Sequence, residues 1–475
     1  MQAWIATETQ TVDLGDERLN QRYRVILDRL SGQPTQSIPA ACCGRAEVEA
    51  AYRFFDNPRV CEAAVLAPHI AATQARIVAE PVVLIAQDTT EIDLTRPEQA
   101  VGGPLSDPRR VGLLCHVQLA LTPAGVPLGV VGGVTWWRDA ETFGTSDARR
   151  KHKPIDAKES RRWVEGYRRC CEVARAAPGT CVVSVADSEG DIYECFAEAQ
   201  AQEHVAKFLV RACQDRRLIG DGGEAKKLFA RLRQTAVLGS MAIEVSARRA
   251  TTGDGRRRRQ ARAARPARVQ VRSTTVTLRP PYRPAGALPE VDVTVVLVTE
   301  DEAPAGEEPI EWLLVTDLPV PDFAAAQRCV AYYTRRWEVE IYFRVLKSGC
   351  GVEKLRLESV ERVVNALAVY RVVAWRVLSV LMLGRERPQI PCTAAFDEAE
   401  WKAVYQVVTG RKPPCRPPSL GELVRMIAGL GGYLGRANDL PPGPQAMWVG
   451  LQQARAFARA WLAFGPGAKT SCVEQ

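Results

Sequence analysis

The chain has 475 residues, 46% of them hydrophobic and 25% charged, with a formal net charge of +8. It is long enough to bury a large core in about two to four domains. Its only histidines, His69, His116, His152 and His204, lie far apart, which excludes a histidine-based metal hydrolase or acid/base enzyme and leaves the chemistry to carboxylates. No apolar run reads as a membrane span and the start does not read as a signal peptide. Fourteen scattered cysteines without metal-ligand spacing read as reduced thiols of a cytoplasmic protein.

From the N-terminus, Asp13-Leu-Gly-Asp-Glu-Arg-Leu-Asn20 opens an amphipathic helix running to Leu30, and Ser37-Ile-Pro-Ala40 breaks it. A second helix from Ala46 stops at Asn57-Pro58. Pro81-Val-Val-Leu-Ile-Ala-Gln-Asp88 is an apolar run ending in an acid, which predicts a buried central strand with Asp88 at its tip. Two strands follow, from His116 and from Pro127, joined by a turn at Pro123-Ala-Gly-Val126; Trp136-Trp-Arg138 closes the second of them. A helix from Asp156 to about Arg175 precedes the strand Cys181-Val-Val-Ser-Val-Ala-Asp187, again ending in an acid. Strand, hairpin, helix, strand, with acids closing the first and the last, is the order of a ribonuclease H-like sheet. Either acid alone reads equally as a turn or helix-cap residue.

The stretch between Asp187 and Glu340 is β-rich, with strands at Met241, Ala267, Val291 and Glu311. It contains the most uneven charge in the chain. From Arg248 to Arg283 twelve arginines stand against one acid, Asp254, the footprint of a phosphate-backbone contact. The plainer reading is a solvated arginine loop.

Ala331 to Lys347 then reads as one helix. At about 100° per residue, Tyr333, Arg336, Glu340 and Lys347 fall on one narrow stripe flanked by Trp337 and Arg344. A carboxylate among cations and aromatics suits a site holding a divalent metal beside a phosphate backbone. An amphipathic helix with i,i+4 pairs such as Arg336 with Glu340 is the alternative. Beyond it, Arg362 to Leu383 is apolar nearly all round. The last hundred or so residues are helical, with a proline-rich break at Lys412-Pro-Pro-Cys-Arg-Pro-Pro418.

Tyr333-x-x-Arg336-x-x-x-Glu340-x-x-x-x-x-x-Lys347, with Trp337 beside it, resembles the Tyr-Arg-Glu-Lys signature of bacterial cut-and-paste DDE transposases. These are of the insertion-sequence-four type, which includes the transposase of transposon five. Leu14-Gly-Asp-x-Arg18 and Ala51-Tyr-Arg-Phe-x-x-Asn-Pro58 resemble the N-terminal DNA-binding domain of the same group, with Arg18, Arg22, Arg53 and Arg59 as candidate contacts. Asp187-Ser-Glu-Gly-Asp-Ile192 and Lys207-Phe-Leu-Val-Arg211 resemble its catalytic domain. Where the group usually has arginine after the aspartate, this chain has Ser188.

The resemblance implies an α/β fold: a ribonuclease H-like catalytic core with an inserted β domain, flanked by helical N-terminal and C-terminal domains. The expected bounds are 1–70 for a DNA-binding domain, 71–375 for the catalytic domain with its insertion at about 212–318, and 376–475 for a dimerisation domain. For the last, a helical cap on the same subunit is the alternative. Asp88, Asp187 and Glu340 would be the catalytic residues and the ligands of two Mg²⁺ ions, for which Mn²⁺ could substitute; oxygen ligands suit such hard cations. Tyr333, Arg336, Lys347, Trp312, Arg211, Trp337 and Arg344 would contact DNA. Trp312 has the spacing to Tyr333 of a tryptophan that receives a base flipped from the DNA end; a tryptophan packed in a β core is the other reading. The implied activity is nicking of a transposon end, hairpin formation, hairpin resolution and joining of the 3′ ends to target DNA. The implied partners are double-stranded DNA and a second copy of the chain in a synaptic complex, with no membrane, in the cytoplasm at the bacterial nucleoid. Two other readings are open to the same sequence, a ribonuclease H-like nuclease without strand transfer and a catalytically silent repressor of transposon ends.

Overall fold

The computed structural model describes residues 2–96, 100–141, 143–144, 153–201, 206–220, 227–245, 261–283 and 286–466. The chain divides into two compact units. The first comprises residues 1–83, 88–145 and 337–475, and the second residues 84–87 and 146–336.

The first unit opens with helices α1 (Ala3–Glu8), α2 (Glu17–Gly32), α3 (Ile38–Ala41), α4 (Arg45–Phe55) and α5 (Glu62–Val78). Helix α2 starts at Asp16, whose carboxylate accepts the Arg18 N–H, and buries Tyr23, Ile26, Leu27 and Leu30. Tyr23 stacks on Phe54 of α4 at 6.2 Å. Arg18, Arg53 and Arg59 are exposed and Arg22 is half-buried. Strands β1 (Val82–Asp93), β2 (Gly103–Pro104), β3 (Val111–Leu121) and β4 (Pro127–Trp136) follow. Their order is β2-β3-β1, with β4 also on β3. The sequence placed Asp88 at a strand tip. Strand β1 instead continues five residues beyond it, because Thr89, Thr90 and Ile92 are β-branched and favour extended backbone.

A buried polar knot ties α1, α5 and β4 together. His69 Nδ1 stands 2.5 Å from Glu8 Oε2, and His69 Nε2 accepts the Val130 N–H at 3.0 Å. Arg76 pairs with Glu8 at 2.7 Å and lies over the Trp375 ring.

The second unit carries α6 (Arg161–Arg175), β5 (Cys181–Ala186), α7 (Tyr193–Ala201), β6 (Lys207–Arg211), β7 (Leu218–Ile219), α8 (Leu228–Arg233), β8 (Val237–Val245), β9 (Arg265–Leu278), β10 (Val291–Glu300), β11 (Glu311–Thr316) and α9 (Phe323–Arg335). Residues 84–87 of β1 begin its strand order, β1-β5-β6-β11-β10-β9-β7, with β8 on β9. Strand β5 runs parallel to β6, and β11 runs antiparallel to it. The β-rich segment therefore extends the sheet through β11 rather than standing as a separate layer. Residues 246–260, with Arg248, Arg249 and Arg256 to Arg259, lie outside the described residues. Three of the later arginines of the basic stretch have partners rather than standing in solvent: Arg265 pairs with Glu300 and Glu307, Arg272 bonds to Thr299 and Gln270, and Arg283 pairs with Glu194 of α7, whereas Arg268 and Arg279 are exposed.

The first unit resumes with α10 (Trp337–Arg344), a π-helical turn at Val345–Gly349, and helices α11 (Val360–Glu386), α12 (Glu398–Thr409), α13 (Leu420–Leu430) and α14 (Pro444–Phe464). Helix α11 corrects the reading that no segment has the character of a membrane span. Its 27 residues reach a mean hydropathy of 1.8 over a span-length window, of which 83% is buried within the fold. Reciprocal side-chain caps, Asp397 with Glu400 and Ser419 with Glu422, open α12 and α13 on either side of the proline-rich stretch.

Candidate active site

In the second unit, strand register alone brings three of the expected residues to one face. Ala186 of β5 is opposite Val210 of β6, so Asp187 falls beside Arg211. Arg211 is opposite Leu314 of β11. Trp312, two residues earlier, shares the face of Leu314, since side chains alternate along a strand. The indole of Trp312 meets the ring of Tyr333 from α9 edge-on, with centroids 5.6 Å apart. Trp312 remains half-exposed, whereas Tyr333 and Arg336 are buried. Burial pushes the Tyr333 phenol up, Arg211 and Arg336 oppose that shift, and the Asp187 carboxylate adds to it. One acid, two guanidinium groups, a phenol and an indole thus share one small volume.

Asp187 leaves β5 in extended conformation and caps a 3₁₀ turn, its carboxylate accepting the Glu189 N–H at 2.8 Å. Ser188 does not leave its place empty of contacts: Arg211 Nη2 donates to its hydroxyl at 3.4 Å. The turn is held by a residue that the sequence reading passed over. Asp191, almost fully buried, accepts the N–H groups of Cys213 and Gln214 at 2.9 and 3.0 Å and pairs with Arg216. The loop following Arg211 is therefore fixed to the turn following Asp187. A second acid four residues after Asp187 was the available signal.

In the first unit, Asp88 is half-exposed within β1 and its Oδ1 accepts the Thr89 N–H at 2.7 Å. The Thr89 hydroxyl lies 2.9 Å from His116 Nδ1. Glu340 is half-exposed on α10, with Trp337 exposed in the first turn and Arg344 in the last. Lys347 belongs to the π-helical turn, and its Nζ lies 3.7 Å from Glu353 Oε1. Glu353 also accepts the Asp93 N–H at 3.2 Å. The Asp93 carboxyl is held below its ordinary range: burial works against this, and Thr95, Arg110 and Lys347 outweigh it.

The sequence treated Ala331 to Lys347 as one α-helix. The structure interrupts it after Arg335 and winds its end as a π-helix, where the Cys350 N–H reaches back five residues to the Val345 carbonyl at 2.8 Å. Tyr333 and Arg336 belong to the second unit, and Glu340 and Lys347 to the first. Asp88 and Glu340 are likewise in the first unit, and Asp187 in the second. Among the described residues no group of three or more His, Cys, Asp or Glu side chains stands close enough to hold a metal ion.

Three family descriptions match the chain. Residues 1–60 match a transposase DNA-binding domain, residues 139–375 a transposase DDE domain, and residues 372–463 the transposase Tn5 dimerisation domain. The chain belongs to the DDE transposases. This transposase is an enzyme of DNA cleavage and strand transfer. Asp187, Arg211, Trp312, Tyr333, Arg336, Trp337, Glu340, Arg344 and Lys347 all fall within the matched DDE domain, whereas Asp88 precedes it. Among solved structures, a piggyBac transposase synaptic complex with hairpin DNA, determined by cryo-EM, aligns with 94% of this chain and 73% of that one. At 9% identity and a TM-score of 0.36 the likeness carries no argument about the site.

Proposed function

We propose that this transposase binds the ends of its transposon, cuts them through a hairpin intermediate and joins the 3′ ends to target DNA. In this reading residues 1–70 bind the end, residues 71–375 carry the chemistry, and residues 376–475 pair two copies in a synaptic complex. The observation that supports it best is the shared face of Asp187, Arg211 and Trp312, closed by Tyr333 and Arg336. It combines what hairpin formation asks for: an acid at a strand end, cations for a phosphate, and an open aromatic face.

Asp88, Asp187 and Glu340 offer carboxylate oxygens only, and each is half-exposed. Carboxylate oxygens are the donors that Mg²⁺, or Mn²⁺ in its place, prefers. Two such ions, when bound, would supply Lewis acidity and a low-pKa water for in-line displacement at phosphorus. The remaining work falls to the chain's own side chains. Arg211 and Arg336 neutralise a DNA phosphate in the second unit, and Arg344 and Lys347 do so in the first. Tyr333, kept protonated by burial, donates its hydroxyl to the same backbone. The half-exposed indole of Trp312 and the exposed indole of Trp337 offer faces for an extruded base, and such stacking contributes about 1–3 kcal/mol per base.

Glu340→Gln tests the assignment. The amide cannot replace a charged ligand, so metal-dependent nicking of a labelled transposon end should vanish, while binding of that end stays near wild type. Normal nicking by this variant would remove Glu340 from the chemistry.

A further inference from the structure

We propose that Glu353 is a positioning residue for Lys347, anchoring its ammonium beside the end of strand β1 so that it meets DNA already oriented. The inference rests on the reading of Lys347 as a phosphate contact. One carboxylate oxygen of Glu353 faces two partners, Lys347 Nζ at 3.7 Å and the Asp93 N–H at 3.2 Å. The first partner is a flexible side chain and the second is backbone of the strand that carries Asp88. The local chain is shaped to allow this. Lys347 leaves the π-helical turn, Gly351 reverses the chain with φ +61°, and a single 3₁₀ turn over Val352–Lys354 returns Glu353 toward it. An alanine at 351 would be strained in that left-handed conformation.

The pair is open rather than sealed, with 28% of the Lys347 side chain and 34% of the Glu353 side chain exposed. An exposed ion pair adds little to stability, so holding the fold together is a poor account of it. At 3.7 Å the carboxylate attracts the ammonium without a hydrogen bond, which leaves its three donors for a phosphate. A lysine stem otherwise spreads over many rotamers, and an anchor set before DNA arrives removes that cost from the reactive complex. Nothing in the Tyr-Arg-Glu-Lys spacing identifies Glu353, which lies six residues past its end.

The test is single-turnover nicking of a labelled transposon end by the full-length chain, alongside end-DNA affinity and melting temperature. The variants are Glu353→Gln, Lys347→Ala and the two combined. Glu353→Gln keeps an oxygen for the Asp93 N–H and removes the charge facing Lys347. It should slow nicking about 10- to 100-fold, the scale of an ångström of misplacement, with affinity and melting temperature unchanged. The combined variant should be no slower than Lys347→Ala alone. Glu353→Asp, which keeps the charge but withdraws it by one methylene, should fall between wild type and Glu353→Gln. Wild-type nicking by Glu353→Gln, with Lys347→Ala slow, would overturn the positioning role and leave the reading of Lys347 standing. A combined variant slowed by the product of both factors would also overturn it. Wild-type nicking by Lys347→Ala would overturn the reading of Lys347 and the positioning role with it.

Discussion

Trp312 sits where two demands meet. Its ring packs edge-on against the buried Tyr333, yet the residue stays half-exposed at the end of the face that carries Asp187 and Arg211. A tryptophan serving only a β core would be sealed. Replacement by alanine should leave nicking intact and stop the reaction at nicked DNA with little hairpin, because the extruded base loses its stacking partner. An abasic nucleotide at that position should restore part of the hairpin yield, since nothing then has to be unstacked. Equal loss of nicking and hairpin in Trp312→Ala, measured on one labelled end, would make the residue structural. At this scale the sequence was informative for a physical reason. Alternation decides which side of its strand each residue faces, and the pairing of β6 with β5 and β11 then aligns Asp187, Arg211 and Trp312. Asp191 and Glu353 stayed hidden because each acts on backbone N–H groups, and no residue type advertises a backbone donor as its partner.

The element that departs most from its sequence is the stretch that carries the signature. A uniform α-helix accounted for its spacing, but the chain breaks after Arg335 and ends in π-helical winding. Neither feature follows from helix propensity, which is silent about i→i+5 bonds. The π-helical turn is closely packed: an added Cβ at Gly349 would stand 2.8 Å from the Trp448 ring of α14, so this turn is pressed against the C-terminal helix. Gly349→Ala must therefore displace the indole or the turn, at a cost of about 1–3 kcal/mol by the usual penalty for overpacking. We expect a lower melting temperature together with slower nicking, because Lys347 rides on the same turn. Gly179→Ala, with open space around its Cβ, is the control and should change neither. A melting temperature for Gly349→Ala equal to that of the control would show that the contact yields freely. The bounds of β1 failed for a related reason. Apolar residues marked its buried half, while its outer half is held by β-branched residues that a hydrophobic run does not include.

Over the molecule as a whole, the knot of Glu8, His69 and Arg76 makes stability depend on pH. Burial holds the His69 imidazole below its ordinary range, with Glu8 opposing and Arg76 adding to the shift. Geometry agrees, since Nε2 accepts the Val130 N–H and has no room for a proton. Burial would raise the Glu8 carboxyl, but His69 and Arg76 outweigh it and keep it low. In both cases the unfolded chain takes up protons first as pH falls. The His69 contribution is complete above about pH 6.5 and is lost below it, and the Glu8 contribution is lost below about pH 4.3. Melting temperature should therefore drop between pH 7.5 and 5.5 more steeply in wild type than in His69→Gln; parallel slopes would refute the assignment. The knot was illegible beforehand because its members are 61 residues or more apart from Glu8 in sequence. The broad order of helices and strands was legible, since it needs only local periodicity. Helix α11 marks the limit of that approach, because an all-round apolar helix looks the same whether lipid or protein surrounds it. Its surroundings have a consequence for how the chain is made. The elements against which α11 packs include α2, α4, α5 and β4, all of which precede it in sequence. Chains emerge from the ribosome N-terminus first, at about 5–20 residues per second. When this greasy helix leaves the exit tunnel, the part of its cover supplied by α2, α4, α5 and β4 has already been synthesised, with α13 and α14 still to come, and that part can shelter it before a membrane or another nascent chain captures it.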